Sequence, residues 1–235
     1  MTSRMRVLPP TLPTWAAMSA IATTVAFSAM FLLACYPLLP DILPVRFSRL
    51  GGAIGWQWKT YTRVLMPVFV QLTLASVAVT IASLVLSRSH DPEDRDADDV
   101  QAARAAAEAI ALFSLIWIAF QAYAAMALVE MWQRGNGGLG STYGWLIAVG
   151  ILLSLLVAQR ANRRLGRPVP RAFVAEHWRL GQLYRNPADP ALFVPTRDGS
   201  RWTLNFGRPV AAALIGVVLA IGMVAPAIIL GLLLR

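Results

Sequence analysis

The sequence predicts an all-α polytopic membrane protein of about five transmembrane helices, with a small cytoplasmic β-hairpin module between the fourth and the fifth. Three observations predict it. Apolar residues make up 57% of the 235 and charged residues only 14%, more hydrophobic surface than a water-soluble domain of this size can hide. The apolar residues fall in uncharged runs long enough to cross a hydrocarbon core of about 30 Å. The positive charge falls between those runs: ten arginines lie between Gln159 and Arg208, against three acids, Glu176, Asp189 and Asp198. Arginine clustered beside hydrophobic spans is what the positive-inside rule produces, so the net charge of +9 calls for no nucleic acid. The single cysteine, Cys35, excludes an internal disulfide.

Residues 1–87 are expected to hold the first two spans. Arg4 and Arg6 precede an uncharged run from Trp15 to Leu39, which places the N-terminus in the cytoplasm. Leu32 to Cys35 also resembles a lipoprotein processing site, but a signal h-region runs only about 7–15 residues. The longer run here favours a retained helix over cleavage and lipidation at Cys35. The outer loop, 36–60, carries Pro37, Pro40 and Pro44 and then Gly51-Gly52, so it is expected to be irregular. Its bulky residues, among them Phe47, Trp56 and Trp58, suit a lid on the outer membrane face. Asp41 is expected to accept bonds from loop amides or to pair with Arg46. The second span, Val64 to Leu86, has Pro67 in its first turn, where a missing amide donor is tolerated.

Residues 88–108 read as an acidic cytoplasmic connector and helix extension. Asp94, Asp96 and Asp98 mimic the start of a calcium loop, but the required glycine falls on Asp99 and the bidentate glutamate on Ala105. Asp98 is the expected helix cap, with Gln101 three residues later. Residues 109–159 hold the third span, Ile110 to Met131, and the fourth, about Tyr143 to Ala158. In the third, Gln121 and Tyr123 can bond neighbouring helices, and Glu130 has Arg134 one turn away. The glycine-rich connector from Gly135 to Gly140 lacks the lysine of a nucleotide loop and reads as an outer turn. In 209–235, Val210 to Leu234 is the fifth span, with small residues four apart for close packing. Two basic residues precede the first span, three (Arg88, Arg95, Arg104) follow the second and ten occupy the long loop, against six elsewhere among the 21.

The loop 160–208 is expected to fold. Asn186-Pro187 and Asp189-Pro190 impose turns, with Asn186 and Asp189 bonding their own backbone. Leu192 to Val194 and Trp202 to Phe206 flank Arg197-Asp198-Gly199-Ser200 as strands of a hairpin. Alternation puts Trp202, Leu204 and Phe206 on one face and Thr203 and Asn205 on the other. Trp178 and Tyr184 are the side chains expected to cover the aromatic face.

Two stretches carry a resemblance. Tyr36-Pro37, Pro40-Asp41, Pro44, Phe47 and Lys59 resemble the domain of unknown function that opens SdpI-like membrane proteins. The pattern departs at Arg46, where that family usually has a histidine, and the usual Gly-x-Pro-Asp element is missing from Gly51 to Trp58. Trp178, Gly181, Tyr184, Asn186, Pro187, Asp189, Pro190, Val194, Pro195, Gly199, Trp202, Thr203, Asn205 and Phe206 resemble a second domain of unknown function near the C-terminus of the same group. The resemblance implies a bacterial inner-membrane protein that gives immunity to a secreted peptide toxin or holds a cytoplasmic regulator at the membrane, without catalysis, metal or cofactor. It implies a ligand site at Pro40, Asp41, Pro44, Arg46, Phe47 and Lys59. It implies a partner-binding or structural module at Trp178, Tyr184, Asn186, Asp189, Trp202, Thr203, Asn205 and Phe206. The residues themselves leave two alternatives open: a small-solute transporter or its accessory subunit, and a membrane enzyme built on His90 and His177. They set no oligomeric state.

Overall fold

Proline and hydropathy place the helix ends. A computed structural model of the chain describes residues 6–47, 53–88, 97–135, 140–165, 168 and 172–216. Its helices are α1 (Leu12–Cys35), the single turn α2 (Tyr61–Val64), α3 (Met66–Leu86), α4 (Ala97–Arg134) and α5 (Gly140–Leu165). Residues 209–216 are also helical; beyond 216 the expected fifth span lies outside the described residues. Pro13 and Pro67 both stand second in their helices, where the missing N–H costs nothing. Pro37 prevents α1 from running past Cys35 except as a 3₁₀ turn, Tyr36–Leu38.

Apart from α2, these helices are long and apolar enough to cross a membrane. Their outward side chains agree: Met30, Trp145 and Leu155 are each more than half exposed, a surface that lipid accepts and water does not. Thr24 and Ser28 return their hydroxyls to the carbonyls of Ala20 and Thr24, which satisfies them without water. At 38 residues, α4 is about 57 Å long, well beyond the roughly 30 Å of a hydrocarbon core. The acidic connector therefore ends in a helix that continues into the third span.

The described residues form two units. One comprises 13–78 and 111–158. Its core joins Ile21, Val25 and Leu32 of α1 to Leu43, Val64, Val68, Ile118, Val129 and Trp132. The outer loop, expected to be irregular, is instead a β-hairpin: β2 (Ile42–Phe47) pairs antiparallel with β3 (Ala53–Trp58), with irregularities at Pro44/Arg46 and Arg46/Phe47. Proline is tolerated beside such a break in the ladder. Thr60 caps α2, its hydroxyl accepting from the Arg63 amide at 3.3 Å. Glu130 and Arg134 form the expected pair, 2.7 Å apart.

The other unit comprises the described residues of 1–12, 79–110 and 159–235. Here β1 (Arg6–Val7) pairs antiparallel with β4 (Ser87–Arg88), and Leu8 donates its amide to Leu86 at 2.8 Å. The loop before 209 forms two small hairpins, β5 (Trp178–Arg179) with β6 (Leu183–Tyr184), and β7 (Phe193–Pro195) with β8 (Trp202–Leu204). A bond from Phe206 N to Tyr184 O at 2.9 Å joins them.

Candidate functional site

The module is organised by one polar side chain. Asn205 is wholly buried, and its Oδ1 accepts from the amides of Asn186 at 3.0 Å and Gly207 at 2.9 Å. Its Nδ2 donates to the carbonyls of Asn186, Asp189 and Ala191 at 2.9, 3.2 and 3.2 Å. A buried amide is tolerated only when satisfied in this way. Asn205 therefore does not lie on an outer strand face, as alternation implies, because β8 ends at Leu204 and the period-2 rule stops there. Asn186 and Asp189 do shape the turn: their Oδ1 atoms accept from the amides of Ala188 at 3.0 Å and Ala191 at 2.9 Å. Thr203 pairs across the ladder with Val194. Trp202 donates its indole N–H to the Leu165 carbonyl at the end of α5, 3.2 Å away.

Beside this scaffold lies a cleft of about 290 Å³. Its rings are Phe173, His177, Trp178 and Tyr184, and Pro195 and Arg197 complete its wall. Tyr184 stands edge-on to both Trp178, at 5.3 Å, and His177, at 5.8 Å, the arrangement ring quadrupoles prefer. The Tyr184 hydroxyl donates to Asp189 Oδ2 at 2.9 Å, which fixes the ring. The Arg197 guanidinium lies 4.5 Å from the Phe173 ring centroid. In the same loop, hydrogen bonds from Ser200 and Thr196 hold the Asp198 carboxyl down at about 2. The β5–β6 turn uses Leu180 and Gly181 at φ 50° and 74°, and Leu180 is 92% exposed.

The outer hairpin gathers some of its expected residues. Lys59 Nζ donates to the Leu39 carbonyl at 2.7 Å, meets Asp41 Oδ1 at 3.2 Å and lies 5.2 Å from the Tyr36 ring centroid. Tyr36 in turn stacks on Tyr61 at 4.0 Å. Asp41 thus pairs with Lys59, not with Arg46, which stands across the ladder from Gly55. A Cβ on Gly55 would sit 3.1 Å from that of Arg46, so the glycine makes room for it. Pro44 is buried opposite Trp56, Pro40 is exposed, and Phe47 pairs through its backbone with Ala53. Ile54, Trp56 and Trp58 are exposed at alternate positions of β3.

Two carboxylates escape a reading of the sequence. Glu108 is 2% exposed; its Oε1 accepts from Arg160 at 3.2 Å, and its Oε2 from Arg164 at 2.7 Å and Thr11 at 3.2 Å. Asp99, also buried, accepts from the amides of Leu192 at 3.1 Å and Phe193 at 2.8 Å. The expected cap, Asp98, lies inside the first turn of α4 instead. The only early signal for Glu108 was a lone acid in an alanine-rich helix. His90 and the acidic run around it, together with the glycine turn at 136–139, lie outside the described residues.

The profile of a family of unknown function (DUF5808) matches residues 187–211. That stretch contains β7, β8, the Asn205 hub and Gly207. No curated protein and no solved structure matches the chain.

Proposed function

We propose that the chain is a multi-pass protein of a bacterial inner membrane, with about five spans and a cytoplasmic N-terminus, that carries out no chemistry. Its outer hairpin meets a ligand such as a secreted peptide or toxin, and its cytoplasmic module meets a regulator, in the manner of SdpI-like immunity or signalling. The observation that carries this reading is a folded β element in each unit, with Trp56 and Trp58 exposed on β3 in one and Phe173 exposed on the chain leading to β5 in the other. The tryptophans of β3 and the Lys59 to Asp41 pair supply the ligand face.

A cell-protection assay with Asp41→Ala, Pro44→Ala and Trp58→Ala tests the reading. Loss of protection at unchanged expression is expected. Wild-type behaviour of all three would reduce the hairpin to a connector. Gln71 favours a second reading, a small-solute transporter or accessory subunit: it is wholly buried and donates to Ser28 Oγ at 3.1 Å, while its Oε1 has no partner among the described residues. An intramembrane polar group held this way is costly. Flux in reconstituted vesicles that disappears in Gln71→Leu would rank transport first.

A further inference from the structure

We propose that the cleft over Trp178 and Tyr184 is the docking site for an acidic linear peptide segment of the cytoplasmic partner, which seats one bulky apolar side chain between the rings and sets its carboxylates against Arg197. The proposal rests on the partner reading above and gives it a place and a chemistry. Size comes first. At about 290 Å³, the cleft stands at the small end of the roughly 300–1,000 Å³ of pockets that enclose whole small molecules. It holds one or two side chains of a chain that continues outside.

Chemistry follows from the walls. Phe173, Trp178 and Tyr184 offer ring faces and edges for an apolar anchor, and Phe173 and Val174 are half exposed, so the rim is apolar too. Charge then selects what flanks the anchor. Arg179, Arg185, Arg197 and Arg201 are exposed on the module. Of its three acids, Asp189 is bound to Tyr184 and the Ala191 amide, and Asp198 to Thr196 and Ser200. Those oxygens are taken up inside the module, and the three acids together are outnumbered by its arginines. Arg197 is already ordered by stacking on Phe173, so a carboxylate meets a guanidinium that has lost much of its freedom before binding.

The test uses the full chain in lipid nanodiscs and a fluorescein-labelled hexapeptide whose central leucine-phenylalanine pair is flanked by aspartate and glutamate. Saturable binding is expected, with Arg197→Ala and Phe173→Ala each weakening it by about tenfold or more, the loss of one charge-assisted bond or one aromatic contact. Both residues are exposed, and unchanged thermal melting of the variants confirms that the fold is kept. Equal binding of a peptide with glycine and serine in place of the apolar pair would overturn the proposal, as would binding that ignores both variants. Displacement by glycerol 3-phosphate would assign the cleft to lipid headgroups and overturn it as well. A photo-crosslinker at Leu180 separates the two ideas: capture of a cytoplasmic protein there, with no peptide binding at the cleft, sinks the cleft and leaves the partner reading standing. Capture at neither Leu180 nor Arg197 sinks both.

Discussion

Replacing Asn205 by alanine should open the cytoplasmic module without touching any exposed surface. The substitution removes five hydrogen bonds at once. Three of the stranded partners are carbonyls, which tolerate a lost bond better than donors do. The other two are the amides of Asn186 and Gly207. At about 1–3 kcal/mol for each orphaned donor, plus the space left by a buried amide, the total comes to about 3–5 kcal/mol. Each 1.4 kcal/mol is tenfold, so the open module becomes roughly a hundred to a few thousand times more populated. Cleavage tracks that population when reclosure outruns the protease. Trypsin applied to the module face should therefore cut the variant at Arg185, Arg197 or Arg201 at least a hundredfold faster than wild type, within the same rough estimate. Asn205→Asp sharpens the test. It keeps the shape and both acceptor bonds but turns a carboxylate oxygen toward the carbonyls of Asn186, Asp189 and Ala191, so it should open the module as readily as alanine. Wild-type cleavage of either variant would refute the claim that this amide organises the module.

Gly207→Ala should be as damaging as Asn205→Ala, because the new Cβ would lie 2.5 Å from the Asn186 carbonyl carbon and 2.6 Å from Pro187 N, backbone atoms that cannot step aside. Gly181→Ala, at φ 74° with open space around it, should cost only about 1–2 kcal/mol and leave the same proteolysis pattern intact. Glu108→Ala leaves two arginines that are already about half exposed, 52% and 45%, so the loss should be about 1–3 kcal/mol, less than for a fully buried pair, and read as a lower melting temperature in nanodiscs. Hydrogen bonds to Asp198 favour its charged form, so its contribution is present above the ordinary carboxyl value of 3.8 and is lost as pH falls toward about 2. Amide exchange at Ser200 should rise over that interval, and Asp198→Asn should abolish the dependence.

Sequence reading succeeded where a signal is local. Uncharged runs, Pro67 in a first turn, the i,i+4 pair of Glu130 and Arg134, and the side-chain turns at Asn186 and Asp189 are each written within a few residues. The β7–β8 hairpin was legible for the same reason, and differs from expectation mainly where β8 ends. The outer hairpin was missed because its prolines speak against regular structure, and Pro44 escapes that rule only by standing at a break in the ladder. Glu108 finds its two arginines 52 and 56 residues further along and Thr11 97 residues back, and Asp99 finds its partners 93 and 94 residues further along. No periodicity or turn rule reaches that far. The cleft is a property of the packed rings, and Phe173 and Arg197 belong to no motif that announces it.

Those distant contacts also constrain topology in a way the arginine count does not. Leu8 bonds Leu86, Thr11 and the two arginines at the end of α5 bond Glu108, Asp99 bonds Leu192 and Phe193, and Trp202 bonds Leu165. Chain segments bonded to one another at a membrane surface share one side of it, since an unbonded backbone polar group in the hydrocarbon is unsustainable. Two long apolar helices lie between Leu8 and Ser87, and two more between Asp99 and Trp202, an even number each time, as a common side requires. Single cysteines at Val7, Gln101 and Ser200, in a Cys35→Ser background, should therefore react alike with an impermeant thiol reagent, whichever side that is. A cysteine at Gln57, one long helix away from Val7, should react oppositely, from outside intact cells if the arginines face the cytoplasm. Opposite labelling of Val7 and Ser200 would break the even count and with it the membrane reading of α1, α3, α4 and α5.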